Sequence, residues 1–251
     1  MKSLLLLLSV ALLAASCSKT ETEVVPGVPG DPKDPEEVED IKWAKLKVPS
    51  DSPTDQVYAV AGDLDKTLLV ATQTMVYTSS DGGKKWQQSK NFQGPVPGLL
   101  QRNDTVFAFR STKGGAMYGE RTAFEVDYFT TDYGKTWVET KKLPQHKKYS
   151  RMEQPTGRVQ AVGSTYYIKA NMAPPPNSGN SLASDLIRLT GTEQTVLTLP
   201  GRHYLNNLHL DAQNRLYVAA SGLAFDEKTG EPIKPKEKKQ AILYVSRKPL
   251  P

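Results

Sequence analysis

Apolar residues in this chain fall in short alternating runs broken by Gly, Asp, Asn and Pro, and no stretch sustains the period of an amphipathic helix. The runs group into units of similar length. Strands are expected at 56–61, 67–71, 76–79 and 86–89, then at 98–101, 105–110, 125–130 and 137–141. A third unit follows at 159–163, 165–169, 185–189 and 195–199. The fourth has only three strands, at 206–210, 215–219 and 241–246. A lone strand at 42–49 precedes the first unit and has the character of a fourth strand, with Trp43 at its start and Leu46 and Pro49 after it. The economical solution is circular: the early strand completes the last unit and removes an edge that would otherwise invite aggregation.

Repeats of about 40–50 residues with several strands each point to a β-propeller. The expected fold is therefore all-β, four blades of four antiparallel strands, with the N-terminal strand closing the last blade. Strands are named A to D from the axis outward.

All three Trp residues stand at the same point of one motif. Two copies read Ser/Thr-x-Asp-x-Gly-x-x-Trp: Ser79, Asp81, Gly83, Trp86 and Thr130, Asp132, Gly134, Trp137. The third, at Trp43, keeps only the tail, and the third unit has Val196 where a Trp would stand. Each residue type has a mechanical role. Gly supplies a left-handed backbone position in a tight turn, the Asp carboxylate accepts otherwise unpaired N–H groups, and the Trp buries a large ring against the next sheet. Asp81 and Asp132 are thus expected to fasten turns rather than to act on a substrate.

The motif resembles the Asp-box, or BNR, repeat of sialidase-like β-propellers. The resemblance implies that the box occupies the C-to-D turn, so that B-to-C and D-to-A loops open on the opposite face. Three B-to-C loops are long, at 111–123, 171–183 and 221–240, whereas the first, near 72–74, is minimal. Long loops gathered on one face mark a binding surface. Candidate ligand-binding residues there are Tyr118, Glu120, Arg121, Tyr149, Arg151, Arg202, His203, Tyr204 and Phe225. Aromatic rings stack on sugar faces while Arg holds hydroxyls or carboxylates, so a glycan or an envelope protein is the expected partner. The alternative implied by the resemblance is a sialidase-like glycoside hydrolase acting on an acidic sugar. No Arg-Ile-Pro motif is present, and Glu120 beside Tyr118 and Arg121 is the best local candidate for acid–base chemistry. A catalytic set is not expected.

Address and charge narrow the picture. Residues 1–16 have the layout of a lipoprotein signal peptide, with Lys2, an apolar run from Leu4 to Leu13 and Ala14-Ala15-Ser16 before Cys17. Cys17 is the only cysteine, which excludes an intrachain disulfide and makes it the expected lipidation site. Residues 17–41, rich in Pro and acids, are expected to form a spacer, and residues 42–251 the propeller. Ser16-Cys17-Ser18-Lys19 followed by an acidic stretch resembles outer-membrane lipoproteins of Bacteroidetes-type bacteria, and the resemblance implies a cell-envelope location anchored in the outer membrane. The body from residue 43 onward carries 28 Lys and Arg against 19 Asp and Glu, about +9, against +5 for the whole chain. That excess favours an anionic partner such as an acidic polysaccharide. An exported, anchored chain makes nucleic acid an unexpected partner. The three histidines lack the spacing of a metal site, and no phosphate-binding or dinucleotide fingerprint occurs, so neither metal nor cofactor is expected.

Overall fold

The computed structural model divides the chain into two units, Met1–Glu37 and Val38–Pro251. It describes residues 42–50, 55–115, 121–173, 181–233 and 240–250. The signal segment, Cys17, the acidic spacer, Tyr118 and Glu120 lie outside the described residues.

Four antiparallel sheets make up the second unit. The first blade runs from the axis outward as β2 (Ala59–Gly62), β3 (Leu68–Ala71), β4 (Met75–Ser79) and β5 (Gln87–Asn91). The second contains β6 (Gly98–Arg102), β7 (Thr105–Lys113) and β8 (Thr122–Thr130), whose outer edge pairs with both β9 (Val138–Glu139) and β10 (Glu153–Pro155). The third is β11 (Arg158–Gln160), β12 (Thr165–Lys169), β13 (Asp185–Thr190) and β14 (Glu193–Leu197). The last is β15 (Arg202–Leu210), β16 (Leu216–Phe225) and β17 (Ala241–Ser246), completed on its outside by β1 (Trp43–Val48). β1 pairs with β17 from Trp43 opposite Ser246 to Val48 opposite Ala241. This is a four-bladed β-propeller, and its ring is closed by the early strand.

The middle strands are apolar on both faces because each blade is packed from both sides. β16 and β17 are buried along almost their whole length, whereas the rim strand β5 is largely exposed. Alternation then assigns each face to a neighbour. Val218, Ala220, Ile242 and Tyr244 of the last blade share a core with Tyr166 and Leu186 of the third. Tyr217, Ala219, Leu243 and Val245, on the other face, pack with Val60, Leu68 and Val70 of the first. The first and second blades meet through Leu69, Val76, Leu99 and Val106.

A polar latch lies at the seam where the ring closes. The A-to-B turns of the last and first blades have the same spacing, Asp211 and Asp63 each standing five residues before a strand-starting Leu, and their backbones fold alike. Arg215 joins them: its Nε donates to Asp211 Oδ2 at 2.7 Å, and Nη2 reaches Asp63 Oδ1 at 2.7 Å and Asp65 Oδ2 at 3.0 Å. The Tyr217 hydroxyl donates to Asp211 at 2.8 Å and accepts from Leu64 N at 2.8 Å. Burial, followed by the Asp211 carboxylate, pushes that phenol far above its ordinary range.

Both Ser/Thr-x-Asp-x-Gly-x-x-Trp segments fold as C-to-D turns. The Ser79 hydroxyl donates to Asp81 Oδ1 (3.0 Å) and accepts from Gly83 N (2.9 Å), while Asp81 Oδ1 also takes Lys85 N (2.9 Å). The second turn repeats this with Thr130 to Asp132 (2.7 Å), Gly134 N to Thr130 (2.8 Å) and Thr136 N to Asp132 (2.9 Å). Gly83 and Gly134 have φ of 80° and 85°, and each also lies against the preceding blade. A Cβ on Gly83 would stand 2.8 Å from Leu46, and one on Gly134 2.7 Å from the Ser89 hydroxyl, so glycine is required twice over.

Two expectations need correction. The second blade's outer strand does not run through 137–141. It stops at Glu139, gives way to a 3-10 turn (Thr140–Lys142) and one turn of helix, α1 (His146–Tyr149), and resumes as β10. The insertion is held by the Thr140 hydroxyl, which donates to Val126 O (2.6 Å) and Asp127 O (3.1 Å) where the edge of β8 has no strand partner. The residues after 219 are also not all loop, because β16 continues to Phe225 opposite Arg202.

Candidate binding face

The polar cluster of the loop face is built around Arg121, which stands at the start of the second blade's C strand. Its backbone carbonyl accepts from Thr156 N (2.9 Å) and the Thr156 hydroxyl (3.2 Å), which fixes the guanidinium end of the loop to the segment leading into the third blade. Arg121 Nη2 donates to the Tyr204 hydroxyl at 3.2 Å. Tyr204 lies where β15 slips register between His203 and Leu205, a bulge that re-aims its side chain, and its N–H is taken by the Ser221 hydroxyl at 3.2 Å. Tyr58, one residue before β2, completes the group. Its phenol is pushed above the ordinary value, first by burial and then by the nearby Asp55 carboxylate, with Arg121 opposing.

Asp55 is buried and fully engaged: Oδ1 accepts Gln56 N (2.7 Å) and Gln73 N (3.1 Å), and Oδ2 accepts the Ser50 hydroxyl (2.8 Å). It ties the connection after β1 to the short B-to-C turn of the first blade. Deeper in, Asn206 Nδ2 donates to Gln56 Oε1 (2.8 Å) and Val57 O (3.0 Å), and Asn207 Nδ2 to Pro97 O (3.1 Å). Among the described residues Arg121 bonds to the Tyr204 phenol and holds no ion pair, and its charge acts on the nearby Tyr58. A guanidinium has five N–H donors, and the bond that Arg121 makes among the described residues goes to Tyr204.

The remaining candidates lie elsewhere. His203 is buried within the last blade, its Nδ1 at 3.1 Å from Leu223 O and its Nε2 at 2.9 Å from the Tyr244 hydroxyl, so its ring is spent on packing. Phe225 is likewise buried, because β16 extends to carry it, and Arg202 opposite it is exposed. Tyr149 stacks on Phe129 with ring centroids 5.9 Å apart, on the second blade's outward face, and Arg151 is exposed on the same insertion. Asp55, Gln56 and Tyr58 were not expected in the cluster. They belong to the 49–58 connection, which is a D-to-A loop only once β1 is counted in the last blade. That rule was available from the ring closure itself.

Among the described residues no group of three or more His, Cys, Asp or Glu is placed to hold a metal ion, and no helix is long and apolar enough to cross a membrane.

No protein-family model matches the chain, and no curated protein matches it. Solved structures match it at great distance. The GH43 endo-arabinanase from Bacillus licheniformis is 9% identical, with 80% of this chain and 96% of that chain covered and a TM-score of 0.42. A streptogramin B lyase structure is 13% identical, covering 77% and 58%, with a TM-score of 0.25. The sialidase of Trypanosoma rangeli, in complex with 2,3-difluorosialic acid, is 14% identical, covering 72% and 28%, with a TM-score of 0.23. The propeller assignment rests on the chain's own strand order.

Proposed function

We propose that the protein is a non-catalytic cell-envelope lipoprotein, anchored through Cys17, whose loop face binds a glycan. In this reading the two motif turns are Asp-boxes serving as fasteners, and residues 17–41 hold the propeller away from the membrane. One observation carries the binding proposal: a half-buried Arg121 without a carboxylate partner among the described residues, bonded to the Tyr204 phenol and near Tyr58. Rings and a planar cation on a loop face suit a sugar with hydroxyl or carboxylate groups. Most retaining and inverting glycoside hydrolases use two carboxyl groups about 5–9 Å apart, and sialidases, which use a Tyr nucleophile, still need an acidic partner for it. Among the described residues the carboxylate in this cluster is Asp55, whose two oxygens already accept three hydrogen bonds, which supports binding over catalysis.

A polysaccharide array probed with the full chain tests the reading. Expected is binding to one glycan class, lost on Arg121→Ala and weakened by Tyr204→Phe, without release of free sugar. An envelope protein recovered through the same residues with every glycan silent would replace the glycan with a protein partner. Sugar released in an Arg121-dependent manner would establish a hydrolase instead. Radiolabelled palmitate entering the wild-type chain but not Cys17→Ala would support the anchor.

A further inference from the structure

The insertion that splits the second blade's rim strand is a separate feature. Residues 140–151 carry Lys141, Lys142, Lys147, Lys148 and Arg151 together with His146, and no acid. Its apolar side chains turn inward: Tyr149 lies over Phe107 and Phe129 with centroids 5.7 and 5.9 Å away, and Met152 packs beside them. The cations are thereby turned outward, and every basic residue of the segment is exposed. Lys141 and Lys142 share the single carboxylate of Glu139, which leaves the trio with a net positive charge. Lys147, Lys148 and Arg151 have no ion pair among the described residues.

The surface is not flat. Where the edge strand is interrupted, a groove of about 390 Å³ opens, lined by Arg110, Glu125, Asp127, Lys141, His146 and Ser150. Glu125 sits at φ 60° near a register shift in the β7–β8 pairing, in the stretch of β8 between its pairings with β10 and β9.

We propose that this rim groove is a second binding site, and that its ligand is an acidic polysaccharide bearing carboxylate or sulfate groups. The cations on α1 supply an attractive field for a polyanion, and Lys and Arg make charge-assisted contacts with its acidic groups. Within the groove both carboxylates are engaged by the protein itself, Asp127 paired with Arg110 at 3.5 Å and Glu125 accepting the Ser111 hydroxyl at 2.7 Å. A bilayer of anionic headgroups offers no hydroxyl-rich chain to enter a groove. The proposal uses residues distinct from the Arg121 cluster and stands or falls independently of it.

The test compares the full wild-type chain with K147E/K148E/R151E and with R121A, probed with polygalacturonate, dextran sulfate and neutral dextran at low and high salt. Expected is at least tenfold weaker polyanion binding by the triple variant, near-wild-type binding by R121A, loss of binding as salt rises, and none to neutral dextran. Unchanged melting temperatures of the triple variant would show that its fold is intact. Equal polyanion binding by the triple variant, or loss in R121A alone, would overturn the site. Preferential binding to phosphatidylglycerol vesicles, with the polysaccharides silent, would overturn the ligand class.

Discussion

Three of the four seams between blades are sealed by a tryptophan, and the fourth is not. Trp43 of the last blade packs on the third and donates its indole N–H to Thr198 O at 3.0 Å. Trp86 of the first blade packs on the last, beside Leu46. Trp137 of the second blade packs on the first, edge-on to Phe92 at 5.2 Å, and donates to the Ser89 hydroxyl at 2.8 Å, which itself donates to Gly134 O. All three point back around the ring in the same sense. Between the third and second blades the corresponding residue is Val196, 62% exposed, and the turn before it is a two-residue hairpin at Gly191 and Thr192. The second blade's outward face, with Phe107, Phe109 and Phe129, is covered instead by Tyr149 and Met152 from its own rim insertion. The motif's Trp is therefore adhesive between blades. Where it is missing, the chain supplies a local cover, and that cover carries the basic groove.

Removing the closing strand is the most severe way to break the comparison. Deletion of Trp43–Val48 unpairs β17 along six residues and takes a seam tryptophan with it. The expected outcome is loss of a cooperative thermal transition by circular dichroism. Trp43→Ala isolates the ring from the strand and should cost about 3–5 kcal/mol, because Trp43 is 4% exposed whereas Trp86 and Trp137 are only partly buried. Denaturant melts in which Trp86→Ala or Trp137→Ala proved costlier would refute this ranking. The copy that retains least of the motif thus holds the most buried ring.

A finer contrast separates the two complete copies. The Trp86 indole N–H is buried with no acceptor among the described residues, while that of Trp137 is bonded to Ser89. Replacing Trp137 by Phe discards a hydrogen bond contributing about 0.5–1.5 kcal/mol, whereas Trp86→Phe removes an unsatisfied donor. Trp86→Phe should be the milder of the two by about 1 kcal/mol in urea unfolding. The reverse order would mean that ring size, not polar satisfaction, governs these seams.

Acid should weaken the box turns in a defined window. Asp132 is held at about 2 by the Thr136 N–H, then the Thr136 and Thr130 hydroxyls, against an ordinary 3.8; Asp81 is lowered in the same way, chiefly by Lys85 N. A carboxyl with a depressed folded value contributes stability that is complete above its unfolded value and is lost as pH falls through the folded one. The contribution should therefore fade between about pH 4 and pH 2. His209 acts earlier: it is buried neutral with Nε2 donating to Gly62 O at 2.9 Å, and burial lowers its value below 6.5, so its share is complete above 6.5 and declines as acidification protonates it. In a series of melting temperatures against pH, Asp132→Asn should flatten the limb below pH 4 and leave the limb above pH 5 unchanged. Parallel wild-type and variant curves would show that the turn carboxylate contributes nothing to folding.

How much of this was legible in the sequence follows from what each feature depends on. Strand alternation and the motif copies are local, and they gave the four blades and the ring closure, with β12 and β17 placed at 165–169 and 241–246 as expected. The rim insertion was hidden because 137–144, Trp137 through Leu143-Pro144, imitates Trp43 through Val48-Pro49. What ends β9 is tertiary: Thr140 capping the bare carbonyls of β8 and Tyr149 reaching an aromatic face formed by other strands. On the binding face, Arg121 and Tyr204 were visible as loop residues, but their meeting depends on a bulge that no local pattern marks. His203 and Phe225 were misplaced for one reason. β15 and β16 run on past their expected ends, and alternation along the added length turns both side chains inward.

The smallest expected effect sharpens the comparison most. If tryptophans seal three seams and Val196 seals nothing, Val196→Ala should change stability by no more than about 0.5 kcal/mol, as for an exposed surface position. Tyr149→Ala, at the same seam, should cost more, because it strips the rings of Phe107 and Phe129 of their cover. Equal costs would mean that the third blade's rim strand, not the insertion, shields that face. The functional consequence would then change as well: an insertion free of structural duty could swing away from the rim, and the groove beside Lys141 and His146 would lose the fixed wall that Thr140 and Tyr149 give it.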